Sequence, residues 1–378
     1  MKITIIGAGI GGLTTSVALQ QKGIDYEIFE SFPTFKDLGA GILLANNAMQ
    51  VYESLGLAKQ LQSLGQTIAH LKVTDNQLIP LSTISIAETN SNDLSTVAIH
   101  RSRLQKTLLA KIPNEKLHLG KRLESLVQNE EGTLLKFVDG STHQAAFVLG
   151  ADGIHSRVRK ELFGNTEIRD ANQICWRGLV DYKLPTDHCH EFNEAWGKGK
   201  RFGFATIGND QVYWFALRNG GEKGLPVKSE IQSLFADFHP LVRDIIEATP
   251  ASNILTNPIT DLKPIPNWHQ HKVCLIGDAA HATTPNMGQG ACQSIEDAYV
   301  LANCLTQNKE VTTAFTQFQQ LRQAKANKVV NTSWNIGKMA QWSNGLLIGL
   351  RNWGMRMTPK SVMKKQNAYL YELPKLSH

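Results

Sequence analysis

Glycines at fixed spacing near the start of the chain have the pattern of a phosphate-binding turn. The run Gly7-Ala8-Gly9-Ile10-Gly11-Gly12 follows a short apolar, β-branched stretch over 2–6. Gly7 permits a tight turn, Gly9 removes the side chain where a pyrophosphate must approach, and Gly12 lets the next helix pack closely on the strand. We therefore predict a buried strand, a helix over 13–22 and dinucleotide contacts from Gly7, Gly9, Ile10, Gly11 and Gly12.

An acidic residue ends the next predicted strand. Residues 25–30 alternate between polar and apolar side chains and finish at Glu30. An acid at this distance from the glycines accepts hydrogen bonds from the hydroxyls of an adenosine ribose, while the free N–H groups of the intervening helix hold the diphosphate. The pattern predicts a Rossmann-like unit with Glu30 in its nucleotide site.

Two further glycine-bearing signatures follow apolar stretches. Gly150-Ala151-Asp152-Gly153 follows the stretch over 146–149, and Gly277-Asp278-Ala279-Ala280-His281 follows the one over 272–276. Ligands of open α/β sheets bind beyond the carboxyl ends of strands, where we expect Asp278 to accept a hydrogen bond from a ribityl hydroxyl. A helix from about Ala291 is expected to aim its N–H groups at the electron-rich edge of a flavin ring. Together the three signatures indicate FAD.

On these signatures the chain resembles the single-component FAD-dependent aromatic hydroxylases, which include p-hydroxybenzoate, salicylate and urate hydroxylases and zeaxanthin epoxidase. The resemblance implies an α/β fold: a Rossmann-like FAD-binding domain, an inserted, mainly antiparallel β-sheet substrate domain and C-terminal helices. It also assigns flavin contacts outside the first turn. These are Gly41, Arg101, Gln105, Asp152, Gly153, Arg157, Asp278, Pro285, Gly288, Gln289, Gly290 and Ala291.

Some positions depart from that family or have plainer interpretations. Relatives commonly have an arginine shortly before the Gly39-Ala40-Gly41-Ile42 pattern, whereas this chain has Lys36 and Asp37 there. In the second signature, Asp152 can instead cap a helix and Arg157 can pair with a local acid. Glu296, in the helix after the third signature, is predicted to be a solvated helical charge.

The resemblance implies a monooxygenase that binds FAD and meets NADH or NADPH only transiently, because the chain has one phosphate-binding fingerprint of the first kind. In such enzymes O2 adds to the reduced flavin at C4a, and the hydroperoxide transfers one oxygen atom to a small aromatic, heteroaromatic or conjugated substrate. Two alternatives stay open. One is a flavin oxidase, dehydrogenase or double-bond reductase on the same scaffold, and the other is a flavoprotein that binds a ligand without catalysis.

A middle segment over about 172–266 has the aromatic, alternating stretches of an antiparallel sheet. Relatives place polar groups on these strands, so Arg201 and Tyr213 are the predicted substrate contacts, and Pro285 is expected to border the reacting ring. Four aromatic residues either form an apolar wall or pack in the core, depending on strand register: Trp176, Phe202, Phe204 and Phe215.

The domain boundaries are predicted from these changes in the sequence pattern. We predict a discontinuous FAD-binding domain from 1–70, 97–171 and 267–330, a substrate-binding domain from 71–96 and 172–266, and a C-terminal helical segment over 331–378. This last segment mixes apolar and basic residues, and we expect it to pack on the flavin domain rather than to contact a membrane.

Composition limits the classes of partner. The chain has 378 residues, of which 42% are hydrophobic, and this is enough for two domains. A net charge of +6 without any block of five basic residues predicts no nucleic-acid binding. Five cysteines without a Cys-x-x-Cys pair indicate a reducing compartment, so we expect a cytoplasmic protein. We also expect it to be a monomer or a homodimer. The Asp187-His188-Cys189-His190 run is interpreted as a polar surface loop, and no metal site is predicted.

Overall fold

A computed structural model describes residues 1–35, 40–89, 94–220 and 228–374. Its strands are β1 (Lys2–Ile6), β2 (Asp25–Phe29), β3 (Gly41–Leu44), β4 (Gln66–Ile68), β5 (His70–Asp75), β6 (Pro80–Ser85), β7 (Thr96–His100), β8 (Leu117–His118), β9 (Leu123–Asn129), β10 (Gly132–Phe137), β11 (Thr142–Ala145), β12 (Phe147–Gly150), β13 (Ile168–Asp181), β14 (Glu191–Trp196), β15 (Lys200–Thr206), β16 (Gln211–Asn219), β17 (Ile254–Leu262), β18 (His269–Gln270) and β19 (Val273–Leu275). Its α-helices are α1 (Ile10–Gln21), α2 (Asn46–Ser54), α3 (Ala58–Leu64), α4 (Ile86–Thr89), α5 (Arg101–Leu109), α6 (Arg157–Phe163), α7 (Lys228–Leu234), α8 (Pro240–Ala248), α9 (Asp278–His281), α10 (Gly290–Gln307), α11 (Val311–Ala340), α12 (Gly345–Met357) and α13 (Lys360–Tyr371).

A mainly parallel sheet brings the three glycine signatures together. Its strand order is β18-β19-β12-β1-β2-β8, and only β18 runs antiparallel to its neighbour. Residues 3–6 of β1 are apolar or β-branched and buried, as expected for a strand covered on both faces. The carboxyl ends of β1, β12 and β19 lie side by side, where the Ala151 N–H donates to the Ile6 carbonyl and the Ile276 N–H donates to the Gly150 carbonyl.

A second, seven-stranded sheet contains the middle segment, in the order β17-β13-β16-β15-β14-β5-β6. Its neighbours are antiparallel except for the β14–β5 pair. The β15–β16 hairpin turns through Gly208, Asn209 and Asp210, all three with positive φ, which explains the Gly-Asn-Asp sequence there. Two strands from 70–85 complete the sheet, so this early segment and the middle segment share one structure.

Two smaller antiparallel sheets fill out the fold. One has the order β3-β7-β4 and packs against the seven-stranded sheet through a small apolar cluster around Ile68 and Ile207. The other has the order β11-β10-β9. Helices α1 and α10 pack closely, since a Cβ on Gly11 would lie 3.2 Å from the Cβ of Ser294. In the described ranges, no helix combines the length and apolarity needed to cross a bilayer.

A buried group of charges joins α10 to α11. Glu296, Asp297 and Arg322 are all fully buried, and the Arg322 guanidinium contacts both carboxylates, with its Nε 2.8 Å from Asp297 Oδ1. Lys325 Nζ donates to both oxygens of Glu296, at 2.8 and 2.9 Å. The prediction that Glu296 is a solvated helical charge is therefore wrong, because α11 covers it and supplies two cations. We call these four residues the acid–base cluster.

The acid–base cluster extends to the chain around it. Asp297 Oδ2 accepts from the Gly277 N–H at 2.8 Å and lies 2.6 Å from His281 Nε2. Burial alone would raise the pKa of Asp297, but His281 and Arg322 outweigh it and hold that pKa below its ordinary value. The carboxylate is therefore ionised at neutral pH and fixes the turn that begins the third signature.

Replacing Arg322 by methionine is expected to lower the free energy of unfolding by about 3–5 kcal/mol, because two buried carboxylates lose their shared cation. Chemical denaturation followed by circular dichroism measures the change. Arg157→Met is the matched control: its pair with Glu161 is on the surface, so a loss under about 1 kcal/mol is expected. Equal losses in the two variants would contradict the structural importance of the cluster.

Candidate active site

Backbone geometry explains the glycines of the first signature. Gly7 has φ +107°, and a Cβ there would lie 2.5 Å from the Ala151 carbonyl oxygen. A Cβ on Gly12 would lie 2.0 Å from the Gly7 carbonyl oxygen, so α1 is as close to the turn as the backbone allows. At Gly9, by contrast, a Cβ would meet no atom within 4 Å. Gly7 and Gly12 are thus required by packing within the protein, whereas Gly9 leaves space beside the turn.

The Glu30 carboxylate is tied to this turn. It is buried, with Oε2 accepting from the Ala8 N–H at 2.7 Å and Oε1 accepting from the Phe32 N–H at 2.9 Å. These bonds fix the acid at the carboxyl end of β2, next to the phosphate-binding turn. Oε1 also accepts from Ser31 Oγ at 3.0 Å. A carboxylate offers about four acceptor positions, so one remains for a further donor. The ribose contact of Glu30 stays a prediction.

Two helices start at this edge without a side-chain cap. Helix α1 begins after Gly9 and α10 begins after Gln289; neither N-cap residue accepts a hydrogen bond through its side chain, and neither first turn has an acid. Their first N–H groups and the positive ends of their dipoles are therefore available to an anionic or electron-rich group. Together with the space beside Gly9, this arrangement fits the diphosphate and ring of FAD.

Asp278 and Arg101 lie near each other at the same edge, and both side chains are exposed. The surrounding protein desolvates Asp278 and raises the pKa of its carboxyl, an effect that His281 and Arg101 partly offset. Arg101 begins α5, and one turn later Gln105 points its amide towards the Ala8 carbonyl at 3.5 Å. Arg101 and Gln105, the predicted contacts beside the flavin, thus lie at the same edge of the sheet as Asp278. We call this edge the rim.

The loop before α10 contains both exposed and buried residues. Pro285 and Gly288 are exposed, Gly290 and Ala291 are half-buried, and Gly288 has φ +60°, a left-handed conformation that favours glycine. Gln289 is buried instead, where its Oε1 accepts from Asn47 Nδ2 at 3.3 Å and from Gln293 Nε2 at 3.0 Å. The side chain of Gln289 therefore anchors the loop to α2 and α10.

The second signature caps a helix. Asp152 accepts from the N–H groups of Arg157 and Val158, at 2.7 and 3.1 Å, and from Ser156 Oγ. Arg157 pairs with Glu161 one turn later, at 2.8 Å. The plainer interpretations of both residues thus describe their contacts in the structure, and their roles towards FAD remain predictions. Gly153 follows in a positive-φ conformation.

Arg159, which is not among the predicted site residues, connects the second signature to the third. Its guanidinium is buried, and Nη1 donates to the Ala279 carbonyl at 2.8 Å while Nη2 donates to the Ile154 carbonyl. Burial lowers the pKa of this guanidinium. Nothing in the sequence around Arg159 distinguishes it from an exposed helical cation.

Arg201 is held by protein groups. Its side chain is 1% exposed, Nη1 donates to Glu194 Oε1 at 2.8 Å, and Nη2 donates to Asn286 Oδ1 at 2.6 Å. Asn286 belongs to the loop before α10, so Arg201 links that loop to the seven-stranded sheet. Its Nε has no hydrogen-bond partner among the described residues. The predicted substrate contact of Arg201 stays a prediction, and its observed partners are those of a positioning residue.

Strand register settles the direction of the sheet aromatics. Phe202 and Phe204 share a face with Trp176 and Trp214, and all four are buried against α7 and α8; the Phe202 and Trp214 rings stack at 5.4 Å. Of the two alternatives left open by the sequence, Trp176, Phe202 and Phe204 therefore take the second, because they pack in the core behind the sheet.

Tyr213 and Phe215 are on the opposite face of β16, which carries Arg177 of the neighbouring β13 as well. All three are half-buried, and the two aromatic rings are 6.2 Å apart. We call these three residues the inner face. It is directed at β3, because a Cβ on Gly41 would lie 2.5 Å from the Tyr213 ring. The close approach that requires glycine at 41 is thus to Tyr213.

The Lys36 and Asp37 departure from the family lies outside the described residues. In the 187–190 run, His188 contacts Glu191 at 3.3 Å and His190 contacts Gln66 at 2.9 Å. Over the described ranges no three His, Cys, Asp or Glu side chains are grouped as metal ligands.

Several residues behind the rim were missed by sequence reasoning. His281, Asp297 and Asn47 fix the Gly277 turn and the Gln289 loop from inside. One signal was present: adjacent acids in the otherwise largely apolar helix α10, followed by two bases one turn apart in α11, a spacing that suits pairing across a buried interface.

Comparison with known proteins agrees with this geometry. The family model described as FAD binding domain matches residues 1–333. Aurachin C monooxygenase/isomerase of Stigmatella aurantiaca is 36% identical over 94% of each chain, and 2-heptyl-3-hydroxy-4(1H)-quinolone synthase of Pseudomonas aeruginosa PAO1 is 30% identical over 98% of each.

Solved structures give the same fold. Klebsiella pneumoniae HpxO complexed with FAD and uric acid superposes with a TM-score of 0.89 at 24% identity, covering 98% of this chain and 97% of that one. A salicylate hydroxylase substrate complex gives 0.79 at 20% identity, covering 100% and 99%. The predicted fold class and the FAD monooxygenase prediction are confirmed. This chain belongs to the FAD binding domain family, and it is an FAD-dependent monooxygenase reduced by NADH or NADPH.

Proposed function

We propose that the substrate is a nitrogen-containing heteroaromatic ring that bears an oxo or hydroxyl group. Three groups of relatives have names of this kind: the 2-heptyl-3-hydroxy-4(1H)-quinolone synthase, a 6-hydroxynicotinate 3-monooxygenase of Bordetella bronchiseptica at 29% identity, and an FAD-dependent urate hydroxylase of Klebsiella pneumoniae at 29% identity. Such rings are planar and electron-rich, and they present a polar edge next to an apolar face.

The observation that carries the proposal is the composition of the inner face. Phe215 provides an aromatic surface, and it lies 6.1 Å from the ring of Phe192 on β14. Arg177 interacts with Tyr213 and Cys175, and no carboxylate among the described residues pairs with it. A half-buried cation beside aromatic rings suits a planar ligand whose oxygen carries negative charge.

Tyr213 adds a neutral hydrogen-bonding group. Burial raises the pKa of its phenol above the ordinary value, although Arg177 opposes the shift. The phenol therefore keeps its proton at neutral pH and can donate to a ring oxygen or accept from a ring N–H. Arg177 and Tyr213 thus supply a cationic donor and a neutral donor or acceptor for the ring oxygen and nitrogen atoms of a quinolone, a hydroxypyridine or a purine.

The flavin-holding residues are part of this proposal. The N-termini of α1 and α10 hold the diphosphate and the ring, Glu30 accepts from the ribose, and Asp278 accepts from the ribityl chain, with Arg101 and Gln105 alongside. Gly153 and the backbone of 288–291 complete the rim. When bound, FAD supplies the redox chemistry: it takes electrons from the nicotinamide and activates O2.

The chain itself has to orient the substrate and keep water out. Arg201 holds the loop that carries Pro285 by binding Asn286, so that loop has a fixed distance from the sheet. Asn286 is held in turn by Thr284 and by the Ser333 carbonyl of α11, each at 2.9 Å. Fixed positions of this kind bring substrate and cofactor together without reorganisation at the moment of reaction.

The remaining organisation is proposed on the same basis. The division of the strands between the six-stranded and the seven-stranded sheet supports an FAD-binding domain from 1–70, 97–171 and 267–330 and a substrate domain from 71–96 and 172–266. Five cysteines without disulfides support a reducing, cytoplasmic location, and the protein is proposed to act as a monomer or homodimer on a small molecule and O2.

Oxygen uptake with NADH and with NADPH tests the substrate class. We expect 4-quinolones, hydroxypyridines or purines to stimulate uptake, and mass spectrometry to find one atom of 18O from 18O2 in the product. Simple phenols and polyenes serve as comparison compounds. Oxygen uptake that is stimulated by phenols or polyenes but by no heterocycle would contradict the heterocycle proposal. A product without 18O would contradict oxygen insertion.

Gly9→Ala and Gly12→Ala form a matched pair that tests the phosphate turn. Gly9 has φ −70°, so alanine fits there without strain, yet its methyl group enters the space assigned to the diphosphate. We expect Gly9→Ala to weaken FAD binding by about ten-fold or more with an unchanged denaturation midpoint, as measured by fluorescence titration of the apoprotein. Gly12→Ala is expected to lose about 1–3 kcal/mol of stability. Full FAD affinity in Gly9→Ala would refute the assignment.

Arg177→Met is expected to raise KM for the heterocycle by about ten-fold to a hundred-fold, because a charge-assisted hydrogen bond is lost. FAD content should not change, since Arg177 lies on the substrate side of the site. Arg243→Met, an exposed arginine on α8, is the control. Steady-state kinetics at several pH values measures the effect, and an unchanged KM would remove Arg177 from the substrate site.

A further inference from the structure

Helix α12 presents an apolar stripe to solvent. Leu346, Leu350, Trp353 and Met357 follow the spacing of one helical face, and their exposed fractions are 86%, 61%, 63% and 63%. Leu347 extends the stripe at 42% exposed. These residues include most of the large exposed apolar side chains in the second half of the described chain. A contiguous patch of this kind on a folded protein marks an interaction surface.

The other face of α12 is firmly attached to the protein. Asn344 caps its N-terminus, accepting from the N–H groups of Leu346 and Leu347. Arg351 is buried, its Nη1 donates to the Ala340 carbonyl at 2.9 Å, and its guanidinium lies 5.1 Å from the centre of the Trp196 ring. The stripe is therefore held outward by contacts on the opposite side of the helix.

The charge of the surrounding sequence is strongly one-sided. Residues 311–371 contain nine Lys or Arg and no Asp or Glu, in a chain whose net charge is only +6. Arg322 and Lys325 of this set neutralise the buried acids of α10. Others, among them Lys338, Arg356 and Lys365, are exposed. An apolar helical face in a segment that carries exposed cations, one of them Arg356 on α12 itself, is complementary to a lipid surface that carries negative charge.

We infer that α12 docks on the surface of an anionic lipid bilayer, with its axis in the plane of the interface. Leu346, Leu350 and Met357 enter the acyl boundary, Trp353 lies at headgroup level, and the exposed cations pair with lipid phosphates. This revises the expectation from sequence that the segment avoids membranes. It concerns binding at the surface only, in keeping with the absence of a spanning helix from the described ranges.

Vesicle flotation of the FAD-loaded protein tests the inference. We expect it to float with vesicles of phosphatidylcholine and phosphatidylglycerol at 3:1, and more weakly with phosphatidylcholine alone. Leu350→Ser combined with Trp353→Ser is expected to lower the partition coefficient by about ten-fold or more, because two apolar anchors are lost. Arg356→Glu combined with Lys365→Glu should lower binding to the anionic vesicles alone.

The control variant replaces equally exposed apolar residues elsewhere. Val127 and Val138 are each 61% exposed, and Val127→Ser with Val138→Ser should leave flotation unchanged. FAD content and the thermal midpoint are measured for every variant, so a folding defect is recognised. Failure of the native protein to float, or equal losses in the control, would overturn the inference. It would also be overturned if sedimentation showed that the stripe variant only converts a dimer to a monomer.

Discussion

The pairing of Asp297 with Arg322 between α10 and α11 is the interaction on which the Gly277 turn and the loop before α10 depend. Asp297 is buried and ionised, and its second oxygen holds both the Gly277 N–H and His281. The turn that presents Asp278 is therefore positioned by a charge that only a buried cation can compensate. Arg322 also contacts Glu296, which holds Asn47 and through it the Gln289 loop.

The residues exposed at the rim are different from the buried residues that hold them in position. The groups at the rim, such as Asp278, Arg101 and Pro285, are exposed, whereas the groups that fix them are buried one layer behind. Lys325 carries the same support towards the C-terminus, because its Nζ donates to the Glu372 carbonyl at 2.7 Å. The end of α13 is thus connected to the buried acid–base cluster between α10 and α11.

Sequence reasoning succeeded where the backbone itself imposes a residue type. Gly7 and Gly12 are readable because any Cβ would collide with a backbone carbonyl oxygen, that of Ala151 for Gly7 and that of Gly7 for Gly12. The position after each strand follows from the apolar stretch before it. It failed at Glu296, since an acid in a helix has the same local pattern whether water or a distant arginine faces it. Arg159 escaped notice for the same reason.

The seven-stranded sheet shows a different limit. Alternation in β15 and β16 predicted two strands and their turn, but period two leaves the two faces equivalent until a partner covers one of them. Helices α7 and α8 cover the side of Trp176, Phe202 and Phe204, and that choice leaves Arg177, Tyr213 and Phe215 on the other side. No residue within either strand specifies which face the helices take.

Because Gly41 and Tyr213 are in contact, a side chain at position 41 and an aromatic ring at position 213 cannot both fit. The phenol ring fills the volume that any side chain at 41 would need, so a homologous chain with a larger residue there must displace the edge strand or give up the ring. Joint variation at these two sites therefore offers a simple criterion for sorting homologues by how closely the edge strand approaches the inner face, before any ligand is known.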